Sequence, residues 1–277
     1  MKNILLLTDF SQASKNAIHY ALQLFAQNQT TFHLVYIHKA SAFTSADLMA
    51  SSTDNLYASI VKSPKEDLAD FVKELKTTYN NPNHTFLDHV DYDVFTDAVN
   101  QIITTNTIDL VVMGTNGVTG ADEVVFGSHT LKVIRNVKSP TLVVPKDFTY
   151  VNPEEILIPL DINDQLNTNR LVTIAEITSN ETSSFHILRV TEQEQDAVVL
   201  NNDKEQLDIY FSSKNYEYNH VKHVPLHYVV DTYVQTNAID FQVFIIQQMS
   251  FFERLFKGSP ITKYSKIASI PLLILHD

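Results

Sequence analysis

The chain has 277 residues, long for one domain and comfortable for two, each able to bury its own core. Its 32 acidic against 20 basic side chains leave a formal charge of −12, which repels a nucleic-acid backbone and an anionic membrane surface. Neither is expected as a partner, any anionic ligand must be held by local geometry, and the absence of cysteine excludes disulfides, thiolate metal sites and cysteine nucleophiles.

The N-terminus runs into only four apolar residues, Ile4 to Leu7, before Thr8-Asp9, too few for a signal-peptide core, and no later segment has transmembrane length. A soluble, cytoplasmic protein is expected. Ile4 to Leu7, Phe32 to Ile37, Asp109 to Met113 and Thr141 to Val144 are short, nearly continuous and rich in β-branched residues, as suits parallel strands buried on both faces. Between them, Ser14 to Gln27 and Glu66 to Tyr79 carry apolar residues at helical spacing, and further helices are predicted over Phe95 to Thr104 and Ser128 to Val137. Alternating strands and helices define an α/β fold with right-handed crossovers. Ala40 to Ser63 reads as a loop with some helix, longer than compact domains usually carry.

The order then recurs. Thr105-Asn106-x-Ile108-Asp109 matches Thr236-Asn237-x-Ile239-Asp240, and the same offset of 131 aligns Gly127-Ser128 with Gly258-Ser259, Lys132 with Lys263 and Pro140 with Pro271. Earlier in the repeat, Asp9 after Ile4 to Leu7 matches Asp161 after Ile156 to Ile158. Two tandem copies follow, with domains predicted over 1–145 and 154–277 and a polar linker, 146–153, bracketed by Pro145 and Pro153.

Glycine is scarce, five in the whole chain, and four of the five fall between Gly114 and Gly127. The stretch Gly114-Thr115-Asn116-Gly117 to Gly127-Ser128-His129-Thr130 starts where the fourth strand ends and stops where a helix begins. Ligands of open α/β sheets bind at such strand ends. Gly114 and Gly117 would let the backbone approach a phosphate chain, while Gly127 with Ser128 would open a helix whose free N–H groups point at anions. Taken alone, Gly127-Ser128 could be an ordinary helix start, and Asp9 could merely cap the first helix together with Ser11.

At these residues the chain resembles the universal stress protein family in its ATP-binding subclass. That family's G-x2-G-x9-G-[S/T] motif is met by Gly114, Gly117, Gly127 and Ser128, and the opening LLLTDFS is similar to the family's start. The resemblance implies two tandem, Rossmann-like, open parallel five-stranded sheets of strand order 3-2-1-4-5, flanked by helices as in the adenine nucleotide alpha hydrolase-like fold. It also implies that Asp9 meets the adenine or ribose and the backbone of Ile37 the adenine. Gly114, Gly117, Gly127, Ser128, His129 and Thr130 would hold the phosphates, with Mg²⁺ or Mn²⁺ bridging them. Weak or no hydrolysis is implied, with no catalytic residue, and so is dimerisation, here an intramolecular pseudo-dimer through Thr141 to Val144 and Leu272 to Leu275 that could pair again as a homodimer.

The second copy departs from the motif. Ile245 and Gln248 replace Gly114 and Gly117, where their side chains would crowd the phosphates, and Pro260 replaces His129 and has no N–H to give. No ordinary ATP site is expected there; Phe251, Phe252, Leu255 and Phe256 could fill the vacated pocket, bind an apolar ligand or pack against the other domain. His220, His223 and His227 resemble a metal cluster only at helical spacing, and Pro225 with the flanking valines favours a strand. The glutamate-rich stretch Glu192 to Glu205 reads as an exposed loop or helix face.

The leading function is a stress-response regulatory protein that binds ATP in its first domain and acts on an unidentified protein partner, with little or no catalysis. A weak ATPase, or a scaffold whose second domain binds an apolar ligand or protein, are the alternatives. Gly117→Val is expected to abolish ATP binding in calorimetric titration while leaving the far-ultraviolet circular dichroism unchanged; binding as tight as the parent's would remove the cradle.

Overall fold

The computed structural model describes residues 2–38, 63–116, 126–161, 164–178, 182–191, 197–211, 214–246 and 269–276. The first half runs β1 (Asn3–Thr8), α1 (Gln12–Leu24), β2 (Thr30–Ile37), α2 (Ser63–Tyr79), β3 (His84–Asp91), α3 (Phe95–Asn106), β4 (Leu110–Thr115), α4 (Ser128–Asn136) and β5 (Thr141–Pro145). The second runs β6 (Glu155–Leu160), α5 (Thr168–Thr178), β7 (Ser184–Thr191), α6 (Ala197–Tyr210), β8 (Asn215–Lys222), α7 (Leu226–Thr236), β9 (Phe241–Ile246) and β10 (Leu272–His276). The loop read over Ala40 to Ser63 lies, but for Ser63, outside the described residues.

The strands form one ten-stranded sheet in the order β3-β2-β1-β4-β5-β10-β9-β6-β7-β8. Each half is parallel and repeats the order 3-2-1-4-5. The halves meet edge to edge through β5 and β10, which pair antiparallel with Leu142 opposite Leu273. Two sheets are thereby one sheet, and each removes the other's exposed edge.

Continuous apolar strands follow from helices on both faces. Ile4 and Leu6 pack with Ala17, Ile18 and Leu22 of α1 and Leu68 and Leu75 of α2, whereas Leu5 and Leu7 pack with Val99 of α3 and Val133 and Ile134 of α4. β3, absent from the apolar runs read above, is a sheet edge on which only Phe86 is buried.

The repeated Thr-Asn-x-Ile-Asp segment is a structural clasp. Asp109 Oδ2 accepts the N–H groups of Lys2 at 2.7 Å and Asn3 at 2.9 Å, tying the start of β4 to the start of β1. Asp240 does the same for β6, accepting from Glu154 at 3.0 Å and Glu155 at 3.3 Å. The asparagines repeat too: Asn106 Nδ2 donates to Ile102 O and Asn237 Nδ2 to Tyr233 O, both at 3.0 Å.

The predicted polar linker is a docked connector. Asn16 Nδ2 of α1 donates to Pro145 O at 2.9 Å and Phe148 O at 3.0 Å, and the rings of Phe148 and Tyr150 lie 6.0 and 5.1 Å from that of buried Tyr20.

Burial pushes the Asp240 carboxyl up to about 6, opposed by its two backbone hydrogen bonds and reinforced by the charges of Glu154 and Glu155. In an unfolded chain it titrates near ~3.9. The folded state therefore binds this proton more tightly, so the residue's stabilising contribution is full below about pH 4 and is lost as pH rises through about 6. In urea melts at acid and neutral pH, Asp240→Asn is expected to lose less stability on going to neutral pH than the parent does; equal losses would contradict this.

Candidate functional site

The carboxyl ends of β1, β2 and β4 and the starts of α1, α3 and α4 enclose a cleft of about 790 Å³, within the ~300–1,000 Å³ usual for small-molecule sites. Asp9, Ile37, Gly114, Gly127, Ser128, His129 and Thr130 all line it. Gly117 lies outside the described residues.

Asp9 follows β1 in a tight turn. Its Oδ1 accepts the Ser11 N–H at 3.0 Å, and Ser11 in turn caps α1 by accepting the Ser14 N–H. Burial pulls the Asp9 pKa upward, but the hydrogen bonds from Ser11 and Ser14 outweigh it and hold the carboxyl below its ordinary value, so it is anionic at neutral pH. Asp9 thus braces the helix start and also lines the cleft. Phe10 completes the turn at φ 61, a costly conformation for a bulky residue, and is held there by the rings of Tyr36 at 5.0 Å and Phe71 at 6.3 Å.

Ile37 ends β2 one residue beyond Tyr36, which pairs with Thr8, the last residue of β1. Thr31 N–H donates toward β1 and His38 N–H toward β3. By the alternation of a parallel ladder, the backbone groups of Ile37 face the side where β1 has just ended. A ligand edge could continue the sheet at that point.

α4 begins differently from an ordinary capped helix. Gly127, not Ser128, is the N-cap residue, and among the described residues no side chain caps the helix. The first backbone bond runs from Leu131 N–H to Gly127 O at 3.1 Å, so the first turn directs Ser128, His129 and Thr130 N–H groups toward the cleft end.

The two described glycines have different causes. A Cβ on Gly127 would meet nothing nearer than Thr130 Oγ1 at 3.9 Å, so packing among the described residues does not demand glycine there. A Cβ on Gly114 would land on the Ala13 carbonyl group and 2.7 Å from Ser14 N. That corrects the reading of Gly114 as an opening for phosphate: the room it leaves is taken by the backbone of α1, although the residue still lines the cleft.

Several lining residues were not read from the sequence: Tyr36, His38, Tyr92, Phe95, Thr115 and Lys132. Most come from the end of β2 and the β3–α3 turn, where only topology brings them to the site. Lys132 carried a signal, standing four residues after Ser128 and so on the same face of α4. It brings a cation to the cleft of an acidic protein.

The second half is built otherwise at the matching points. Arg189 pairs with Leu160 at the end of β6, as Tyr36 pairs with Thr8, and is fully buried. Its guanidinium donates to Asp203 Oδ1 at 2.7 Å and Oδ2 at 2.8 Å and to the Asp161 carbonyl, while Tyr218 donates to Asp203 at 2.7 Å. Asp203 shows that the acidic stretch read as exposed contributes one buried carboxylate. Ile245 does not crowd a phosphate space as expected: it joins the cluster with Leu171 and Ile174 of α5, the face where α1 closes on Gly114 in the first half. Accordingly α1 starts three residues after Asp9 and α5 seven after Asp161. Asp164 occupies the longer turn, accepting the Asp161 N–H at 2.7 Å, with burial pushing its carboxyl up to about 7. Gln248, the four aromatic and aliphatic loop residues, Gly258 and Pro260 lie outside the described residues.

His220 Nε2 lies 2.9 Å from Thr191 Oγ1, His223 follows the strand at φ 59, and His227 belongs to α7. Among the described residues no group of three or more His, Cys, Asp or Glu could hold a metal ion, and no helix is long and apolar enough to cross a membrane.

A parallel α/β half with a cleft at its strand ends and a helix start over it defines a class, and comparison with known proteins gives the family. The model of the universal stress protein family matches residues 1–145, just over half of the chain, and the chain belongs to that family. A universal stress protein of Methanocaldococcus jannaschii is 27% identical over 146 residues, 52% of this chain and 82% of that protein. A universal stress protein structure from Archaeoglobus fulgidus superposes with a TM-score of 0.69 at 13% identity, covering 99% of this chain and 98% of that one. A putative universal stress protein from Pseudomonas aeruginosa gives 0.57 at 11% identity, covering 100% and 93%. These structural likenesses establish the fold.

The glycines should separate in a mutational test. Gly114→Ala is expected to cost at least about 1–3 kcal/mol in denaturant unfolding, the range for overpacking against a backbone that cannot yield. Gly127→Ala should stay within about 1 kcal/mol of the parent, the ordinary helix-start range. The reverse order would contradict both steric assignments.

Proposed function

We propose that the protein binds ATP in the first-half cleft and serves as a regulatory protein of the stress response; membership of the family supports the stress-response role itself. The observation that carries the ATP reading is the start of α4. Among the described residues no side chain caps it, and the glycine before it leaves room that packing among those residues does not use. Helix N-termini of this kind favour phosphate. Lys132 adds a positive charge, Asp9 an anionic acceptor for ribose or adenine hydrogen-bond donors, and Ile37 a strand end for the base.

The residues present fit a nucleotide with its phosphates on α4 and its base toward β2. Mg²⁺ or Mn²⁺ bridging the phosphates would supply charge neutralisation. No side chain is assigned as a catalytic base, and hydrolysis is weak at most. In this reading residues 1–145 form the nucleotide domain of a cytoplasmic protein, and 154–277 form a second copy without an ordinary ATP site. Arg189, Asp203 and the lengthened turn at Asp164 support the second assignment. ATP acts on a protein partner by favouring whichever conformation binds it better, and only to that extent.

The test is to denature the purified protein and identify what it releases. About one ATP per chain is the expected result. A protein that carries no nucleotide under any expression condition and binds none added to it would overturn the proposal, and two ATP per chain would overturn the reading of the second half.

A further inference from the structure

The cleft holds one polar group for which neither the glycines nor the helix start accounts. Thr115, the last residue of β4, is 5% exposed and lines the cleft. Its backbone is occupied by the sheet, since it lies opposite Pro145 of β5 and its carbonyl accepts the Lys146 N–H at 2.8 Å. Its hydroxyl is buried and has no hydrogen-bond partner among the described residues. A buried hydroxyl left unpaired costs stability, and threonine offers little here that valine would not supply more favourably.

The direction of the side chain follows from the pleat. Gly114 faces α1, because a Cβ there would strike Ala13. Thr115 therefore faces the opposite side, the side on which Met113 packs with Phe126, Val133 and Ile134 around α4. Strand β1 separates it from Ile37, since β1 lies between β4 and β2 and the Ile37 backbone ends β2. The hydroxyl is thus at the helix end of the cleft and remote from the base end.

We propose that Thr115 is a ligand-contacting residue whose Oγ1–H donates a hydrogen bond to an oxygen of the phosphate chain, beside the first-turn amides of α4. The inference rests on the nucleotide reading of this cleft and adds a residue that the glycine motif treats as a spacer. The hydroxyl gains its partner only when phosphate is present. It therefore contributes to affinity for phosphorylated ligands at the expense of the empty protein, and leaves affinity for an uncharged nucleoside untouched.

The experiment compares the full-length parent, Thr115→Val and Thr115→Ser. It reads the thermal midpoint of the nucleotide-free proteins, the dissociation constant for Mg–ATP by titration, and that for adenosine by competition with a fluorescent ATP analogue. Valine has the same shape and lacks only the hydroxyl. Thr115→Val is expected to melt no lower than the parent, to bind ATP about 10- to 100-fold more weakly, as for a lost hydrogen bond to a charged group, and to bind adenosine unchanged. Thr115→Ser is expected to retain most of the parent's ATP affinity. A Thr115→Val protein that binds ATP as tightly as a parent that itself binds ATP would overturn this inference and leave the nucleotide reading standing. Equal weakening toward ATP and adenosine would overturn the phosphate contact, and a parent that binds no ATP would overturn the nucleotide reading and this inference with it.

Discussion

Helix α1 lies so close to β4 that only a hydrogen atom fits between them at Gly114. That contact decides where the first turn of α1 sits, and with it where the Asp9 turn ends, because Ser11 caps the helix and holds the Asp9 carboxylate by its own N–H. Phe10 is carried into a left-handed conformation by the same tight exit from β1 and is compensated by the Tyr36 and Phe71 rings. One missing side chain therefore draws a helix start, an anionic group and a strained turn to the mouth of the cleft. In the second half Ile245 stands at the matching point, and α5 starts later along the chain, behind a turn filled by Asp164 and buried Leu166.

The two halves are consequently alike in topology and unlike in chemistry. Where the first has an aromatic group around Tyr36, the second has Arg189 locked to Asp203, Tyr218 and the Asp161 carbonyl. Removing one member of such a buried pair typically costs about 3–5 kcal/mol, whereas its replacement by apolar groups can be neutral, so the pair specifies an arrangement more than it adds stability. The halves are joined by the β5–β10 pairing and by the connector that Asn16 and Tyr20 hold against α1. α1 thus touches both the cleft, through its first turn, and the chain leading to the second half.

The fold was readable because parallel strands buried on both faces appear as unbroken apolar runs, and the repeat was readable because one offset aligns so many residues. β3 escaped since an edge strand needs only Phe86 inside. The place of the linker was readable from its bracketing prolines, but its docking through Phe148 and Tyr150 was not. Among the residues that line the cleft, Gly114, Gly127 and Ser128 were legible from their spacing and Asp9, Ile37, His129 and Thr130 from the family resemblance, whereas His38, Tyr92 and Phe95, which topology brings there, were not. Gly114 was recognised as important for a reason the structure corrects: a short glycine-rich stretch does not reveal whether a glycine leaves room for a ligand or for a neighbouring helix.

The central claim is that the first-half cleft holds ATP with its base toward β2 and its phosphates on α4. A crystal structure of the full chain grown with ATP and Mn²⁺, with the metal located by anomalous scattering, tests it most directly. The account predicts one nucleotide per chain, adenine against the Ile37 backbone and phosphate oxygens on the amides of Ser128 to Thr130. A nucleotide bound in the second half, or bound in the first with its phosphates away from α4, would contradict it.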